Sequence, residues 1–302
     1  MKTKFNFSSF FTKANYISLT IFLASLFLIF FKGLNYGIDF KGGTLIELRV
    51  ADKNIDISQI RQSVNKYQSG DLNVKEFGSK GDYLIKIENS SKEDKNFISN
   101  LKNNLIKDLQ TDLNFRRVEK VGPKVSAELL ESGLIAIGLS LAAMLFYIWI
   151  RFEWQFSLGS IVALFHDVII TVGIFSFLSF EINLSIIAAV LTIVGYSMND
   201  TVVIYDRIRE NLNKFNRITI DEIANLSINE TLSRTLITSI TTLLALFSIY
   251  ILGGEILRGF AFAMIIGVFI GTYSSIFVAS PVLKYLKVSY KTLEKKEEKI
   301  LP

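Results

Sequence analysis

SIIAAVLTIVGYSMNDTVVIYDRIREN (185–211) sets a carboxylate, Asp200, inside an apolar stretch long enough to cross a membrane. SIIAAVLTIV (185–194) precedes the acid and VVIY (202–205) follows it. A charge at the centre of a spanning helix costs roughly 2.5–3.5 kcal/mol on insertion scales, so it is seldom kept without a task. A second charge, Arg234, opens the next apolar segment, SRTLITSITTLLALFSIY (233–250). An acid and a base on consecutive membrane helices point to a site that handles protons or ions.

Half of the 302 residues are hydrophobic and the mean hydropathy is +0.38, too apolar for an ordinary soluble domain and low for an all-membrane chain. The mean hides two kinds of segment. Apolar stretches occur at 14–31, 129–150, 156–178, 182–205, 233–252 and 257–283, each near the roughly 20 residues a spanning helix needs. A polar block, 33–128, separates the first two and is long enough for one small domain. The expected fold is a membrane all-α six-helix bundle with an inserted α+β domain. Residues 1–32 hold the N-terminus and helix 1, and 129–287 hold helices 2–6 with a loop at 206–232. A charged tail spans 288–302.

The first apolar run follows Lys2, Lys4 and Lys13, as in a signal peptide, but it is long, rich in phenylalanine and ends in FFKGLNYGIDF without a small-residue cleavage pattern. An uncleaved anchor is expected. Lysine and arginine in flanks and short loops set orientation. Arg207, Arg209, Lys214 and Arg217 follow helix 4, and Lys284, Lys287, Lys291, Lys295, Lys296 and Lys299 follow helix 6. The turns near 179–184 and 253–258 contribute only Arg258. Both termini are therefore expected in the cytoplasm and the 33–128 domain outside. The net charge of +5 is mostly topology, and no nucleic-acid motif accompanies it. With no cysteine, disulfides and thiolate metal sites are excluded.

In the polar block, TLIELRV (44–50) alternates as a strand does, and DISQIRQSVNKY (56–67) spaces Ile57, Ile60 and Val64 helically behind Asp56, a candidate N-cap. DLNVKEF (71–77) and DYLIKIE (82–88) read as strands joined by GSKG (78–81). DKNFISNLKNNLIKDL (94–109) puts Phe97, Leu101, Leu105 and Leu109 on one helical face, and NFRRVEKVG (114–122) returns as a strand. The order βαββαβ is that of a ferredoxin-like split unit. Such a fold fixes no function, and the block has no histidine, no cysteine and no catalytic cluster. Binding or transmission is expected of it rather than catalysis.

Helix 3 carries FHDVIIT (165–171), with His166 and Asp167 near mid-membrane. A metal-phosphohydrolase reading of the HD pair fails because His166 is the only histidine. Interhelical hydrogen bonding and membership of an ion path both remain open. Asp200 shares a helical face with Tyr196 and Ser197, and Arg234, Thr238, Thr241 and Thr242 form a polar stripe on helix 5. Asp200 and Arg234 either titrate during a conformational cycle or form a static pair. Gly259, Ala263, Gly267, Gly271, Ser275 and Ala279 recur every four residues on helix 6 and suit close helix packing, within this chain or with a partner.

Four stretches together resemble the SecF branch of the SecD/SecF protein-export family, related to the RND transporter superfamily. They are YGIDFKGGT (36–44), VGPKVSAEL (121–129), FHDVIIT (165–171) and GYSMNDTVVIYDRIREN (195–211), the last followed by NETLSRTLITSITT (229–242). The ordered set is specific, whereas GGT alone is weak. The resemblance implies an RND-type half in the bacterial inner membrane, with a periplasmic 33–128 domain and no cofactor, metal or enzymatic activity. Asp200 and Arg234 fall on the family's functional intramembrane residues. SecD would supply the second half, with SecYEG, SecA and YajC in the wider assembly and an unfolded preprotein as substrate. Proton flow would move the outer domains, with Gly37, Asp39, Gly42 and Gly43 in the joint after helix 1. A fixed tight turn fits those glycines as well. A self-sufficient small-molecule/proton antiporter and an intramembrane hydrolase using Asp167 and Asp200 are competing readings. The first would need a second half, and the second lacks a recognised protease motif.

Overall fold

The computed structural model describes residues 5–67, 72–76, 79–88, 97–215 and 217–297. Lys2, Lys4, Asp71, Phe77, Gly78, Asp94, Lys95 and Lys299 lie outside the described residues, as does the end of the 288–302 tail. A 3-10 turn, Ser8–Phe10, leads into α1 (Phe11–Phe31), followed by β1 (Asn35–Tyr36) and the single turn α2 (Ile38–Lys41). Then come β2 (Gly43–Val50), α3 (Ile57–Tyr67), β3 (Leu72–Glu76), β4 (Asp82–Glu88), α4 (Phe97–Leu109) and β5 (Leu113–Val121). The remaining long helices are α5 (Pro123–Arg151), α6 (Trp154–Leu178), α7 (Leu184–Lys214), α8 (Ile220–Leu252) and α9 (Gly254–Ser274), with β6 (Glu181–Ile182) before α7. α9 continues through a π-helical turn, Ser275–Ala279, into α10 (Ser280–Tyr285), and α11 (Tyr290–Glu297) closes the described chain.

Among the described residues six helical stretches are long and apolar enough to cross a membrane, the first being Ser8–Lys32 and the last Leu257–Tyr285. The chain is a multi-pass membrane protein. It divides into a membrane unit (up to 35, 136–180 and from 185 onward) and a second unit, Tyr36–Ile135 with Glu181–Leu184.

In the second unit β3-β4-β2-β5 form one antiparallel sheet, with Ile46 opposite Ile85 and Leu48 opposite Tyr83. Alternation sends Ile46, Leu48, Val50, Ile85 and Ile87 to one face, where Ile60 and Val64 of α3 and Leu101 and Leu105 of α4 cover them. Each such side chain contributes about 1.5–3 kcal/mol by burial, which a domain without disulfides depends on. The other face is laced with charge: Arg49 Nε and Nη2 donate to Asp82 at 2.5 and 2.6 Å. Gly42 and Gly43 turn the chain into β2 at φ +78° and +140°. A Cβ at Gly43 would sit 2.4 Å from the Ile87 carbonyl oxygen, so only glycine fits there.

The membrane unit is held by small residues at helix crossings. A Cβ on Gly173 of α6 would meet Ser25 of α1 at 2.3 Å. Ser176 Oγ donates to the carbonyls of Leu28 and Gly33, at 3.1 and 2.7 Å, closing the end of α1. By contrast Leu134, Leu139, Phe146, Trp149 and Ile150 of α5 are exposed, an apolar surface that hydrocarbon can solvate. At the N-terminus, two asparagines one turn apart on α8 bind a short strap by its backbone. Asn225 Oδ1 accepts from Phe7 N–H at 2.7 Å, and Asn229 exchanges two bonds with Phe5, at 3.0 and 2.8 Å.

The expected 206–232 loop is a correction: within it α7 runs on to Lys214 and α8 begins at Ile220. Thr219 and Glu222 form a reciprocal capping box that starts α8. Arg207 pairs with Glu210 at 2.5 Å and Glu230 at 2.7 Å, and Lys214 with Glu210 at 2.6 Å, so the charges favour helix beyond the apolar stretch. The π turn has its own cause. Pro281 lacks the N–H that would continue the α pattern, and the freed backbone is taken up locally. Ser280 Oγ donates to the Ser275 carbonyl at 2.9 Å, and Tyr205 Oη to that of Ala279 at 2.8 Å.

Candidate functional site

Asp167 is fully buried at the meeting of α6, α7 and α9. Its Oδ2 accepts from Ser197 Oγ of α7 at 2.5 Å and Ser274 Oγ of α9 at 2.7 Å. Its Oδ1 lies 2.9 Å from Nδ1 of His166. Three helices are thus joined through one carboxyl group, and removing one partner of a buried hydrogen bond costs about 1–3 kcal/mol. The His166 ring lies nearly parallel to Tyr273, with centroids 6.4 Å apart, while its Nε2 is buried without a partner.

The close approach that permits these bonds comes from the small residues of α9. A Cβ on Gly271 would lie 3.0 Å from Ser197 Cβ, and one on Gly267 only 2.3 Å from Ile193 Cγ1. Gly259 faces Ile186, Ala263 is buried, and Ser275 and Ala279 belong to the π turn. The stripe therefore packs against α7 of this same chain at three of its glycines.

Asp200 lies one turn beyond Ser197 and is 3% exposed. Its Oδ2 is buried with no hydrogen-bond partner. The hydroxyl of Thr272 lies beside the carboxyl, and that hydroxyl also meets Ser239 Oγ of α8 at 2.8 Å. Arg234 acts on Asp200 electrostatically, yet no ion pair within 4.0 Å joins them. The Arg234 side chain is exposed. The expected polar stripe on α8 turns inward on its own helix: Thr238 Oγ1 donates to the Arg234 carbonyl at 3.1 Å and Thr241 Oγ1 to that of Ile237 at 2.8 Å. Buried hydroxyls of Tyr196 and Thr235 also lack partners. An unpaired buried polar atom costs about 1–3 kcal/mol, so the Asp200 carboxyl marks a place where stability is sacrificed. That group is suited to taking up a proton or water.

The joint residues are fixed in detail. Gly37 N–H donates to the Ile182 carbonyl at 2.8 Å, and Asp39 Oδ2 accepts from Leu184 N–H, the first residue of α7, at 2.9 Å. Gly37 is in extended backbone, unlike Gly42 and Gly43. Among the described residues no cluster of three or more metal-ligating side chains occurs. Ser274, Thr272 and Ser239 were not singled out from sequence. Their signal, hydroxyls in apolar helices, is shared by many back-bonded serines and threonines.

A family profile described as "Protein export membrane protein SecD/SecF, C-terminal" matches residues 101–289, and the "SecD/SecF GG Motif" matches 27–53. The protein translocase subunit SecF of Rickettsia bellii is 45% identical over 285 residues, 93% of each chain. That of Cereibacter sphaeroides is 41% identical over 280 residues, 90% of this chain and 86% of the relative. Among solved structures, SecDF of Thermus thermophilus, described as a translocon-associated membrane protein, superposes with a TM-score of 0.83 at 36% identity. The match covers 94% of this chain and 38% of that one, so the chain spans well under half of the solved SecDF polypeptide.

Proposed function

The chain belongs to the SecD/SecF family of protein-export membrane proteins, and on that premise we propose that it acts as a SecF-type auxiliary subunit of the preprotein translocase. With SecD as the second six-helix half, it uses the protonmotive force to complete the export of an unfolded preprotein that SecA has driven through SecYEG. YajC belongs to the same assembly. The chain is non-enzymatic and needs no cofactor. It lies in the bacterial inner membrane with both termini cytoplasmic and the 33–128 region periplasmic, as the lysine and arginine distribution supports. We read that region as ferredoxin-like, on the order β-α-β-β-α-β and the strand sequence β3-β4-β2-β5.

One observation carries the proton-coupling role. Asp200 is buried with an unpaired oxygen, while Arg234 on the next helix acts on it without locking it in an ion pair. An acid so placed can exchange a proton as Arg234 moves nearer or farther. Asp167, one helix away, accepts from Ser197 Oγ and contacts His166 Nδ1, and this pair supports the same exchange. One charge crossing 100 mV yields about 2.3 kcal/mol, enough for a few protons to drive a domain movement. Gly37, Asp39, Gly42 and Gly43 carry that movement to the outer domain.

The test is force-dependent preprotein release from vesicles carrying Asp200→Asn, with SecD assembly measured in the same sample. Loss of the force-dependent step with assembly intact is expected. Wild-type release would remove Asp200 from the coupling mechanism.

A further inference from the structure

We infer that Asp39 is a positioning residue for this coupling: by capping α7 it ties the helix that carries Asp200 to the domain outside the membrane. The inference rests on the coupling role proposed for Asp200. The short segment before α7, Glu181–Leu184, belongs to the same compact unit as Tyr36–Ile135, although far from it in sequence. Three separate contacts hold it there. Gly37 N–H binds the Ile182 carbonyl at 2.8 Å, and Asp39 Oδ2 takes the Leu184 N–H at 2.9 Å. Lys86, whose side chain is buried, lies 3.8 Å from the Glu181 carboxylate, as does Lys75. Lys86 is itself fixed by the Tyr36 carbonyl at 3.3 Å and Glu88 at 3.4 Å. A Cβ on Gly37 would come within 3.3 Å of Asn183 Cβ and the Ile182 carbonyl oxygen, so the two strands of this clamp already touch.

The carboxylate at the first N–H of α7 satisfies a donor that the helix cannot satisfy itself and complements the positive end of its dipole. From Leu184 the helix is unbroken to Lys214. Asp200 is sixteen residues along it, roughly 24 Å at 1.5 Å per residue. An unbroken helix transmits a displacement along its axis, so motion of the clamp reaches Asp200 directly. α5 also starts in the domain, but it has no acidic or basic residue between Glu131 and Arg151. Asp39 is therefore more than a member of a flexible joint after α1.

Leu184→Pro isolates the bond. Proline is favoured at the first position of a helix, and the one backbone donor it deletes is the N–H that Asp39 accepts. In vesicles containing the assembled complex, Asp39→Ala and Leu184→Pro should each cut the force-stimulated part of preprotein release about five-fold, the scale of a lost cap. Asp39→Asn, which keeps an acceptor oxygen, should retain most of it. The double variant Asp39→Ala/Leu184→Pro should be no worse than either single change, because both remove the same bond. Wild-type stimulation in Leu184→Pro, or additive losses in the double variant, would overturn the inference. Asp200→Asn assayed beside them tells which idea has failed: if it keeps full stimulation, the coupling reading is at fault. Hydrogen exchange on the full chain in nanodiscs reads the clamp without transport. Asp39→Ala should speed exchange about five-fold at 184–187 and leave 190–200 unchanged, and unchanged exchange at 184–187 would refute the clamp.

Discussion

Replacing Gly267 with alanine tests whether the small-residue stripe of α9 is packing within the chain. The added Cβ would stand 2.3 Å from Cγ1, 2.4 Å from Cδ1 and 3.0 Å from Cγ2 of Ile193 on α7. Carbon atoms rest about 3.5–4.0 Å apart, so the deficit exceeds an ångström for two of the three. Rotating the Ile193 side chain cannot clear all of these atoms, because a β-branched residue keeps a γ carbon in most rotamers near the crossing. The helices must separate or Ile193 must leave its rotamer, at about 1–3 kcal/mol. Ile193→Ala alone should cost about 2–5 kcal/mol through the cavity it leaves. In the double variant the new methyl enters that cavity, and the two changes should together cost about 1–3 kcal/mol less than their sum. Reversible unfolding in bicelles, read by denaturant titration or steric trapping, gives all four corners of the cycle. Additive effects, or a neutral Gly267→Ala, would refute close α7–α9 packing at this position. Ile193→Val is an internal control: it leaves both γ carbons and should not rescue Gly267→Ala.

Two further predictions concern carboxyl groups. The Arg49 hydrogen bonds hold the Asp82 carboxyl below the usual carboxylate range, outweighing its partial burial, with Arg116 adding to the effect. A depressed folded-state value stabilises the domain above the unfolded pKa of about 3.9 and is lost as pH falls through the lower folded value. Melting of the full chain should therefore be insensitive to Asp82 titration from pH 7 to 5, and Asp82→Asn should flatten the loss below about pH 4. Equal acid slopes in the two proteins would contradict this. At the buried hub, Ser197→Ala and Ser274→Ala each remove one donor from Asp167 Oδ2 and should each lower unfolding free energy by about 1–3 kcal/mol in bicelles. A double variant as stable as wild type would show that Asp167 needs neither hydroxyl.

The six helices were legible because an apolar run of spanning length has few other destinations. The strands and helices of the 33–128 region were legible because period 2 and period 3.6 separate cleanly in TLIELRV and DISQIRQSVNKY. The length of α7 and α8 was underestimated because the apolar pattern stops where the membrane does, whereas Arg207, Glu210 and Lys214 keep a helix going in water. Thr219-x-x-Glu222 was a readable start signal. Asp200 and Arg234 stood out as charges in apolar surroundings. Their separation did not, because sequence adjacency of helices says nothing about where an exposed arginine points. The role of Ser274 and the partner of Asp39, itself named in the joint after helix 1, were invisible for a common reason. Each acts on a residue far along the chain, Ser274 on Asp167 and Asp39 on Leu184, and no local pattern encodes the meeting.

The strap at the N-terminus bears on the order of biosynthesis. Phe5 binds Asn229, 224 residues later, and Phe7 binds Asn225. At roughly 5–20 residues per second a ribosome needs on the order of 10–45 seconds to supply those partners. Through most of that interval α1 has been made but its leading strap has nothing to bind, while the long helices α5, α6 and α7 are synthesised. The strap therefore docks long after it is made, and its docking registers that the first turns of α8 are in place.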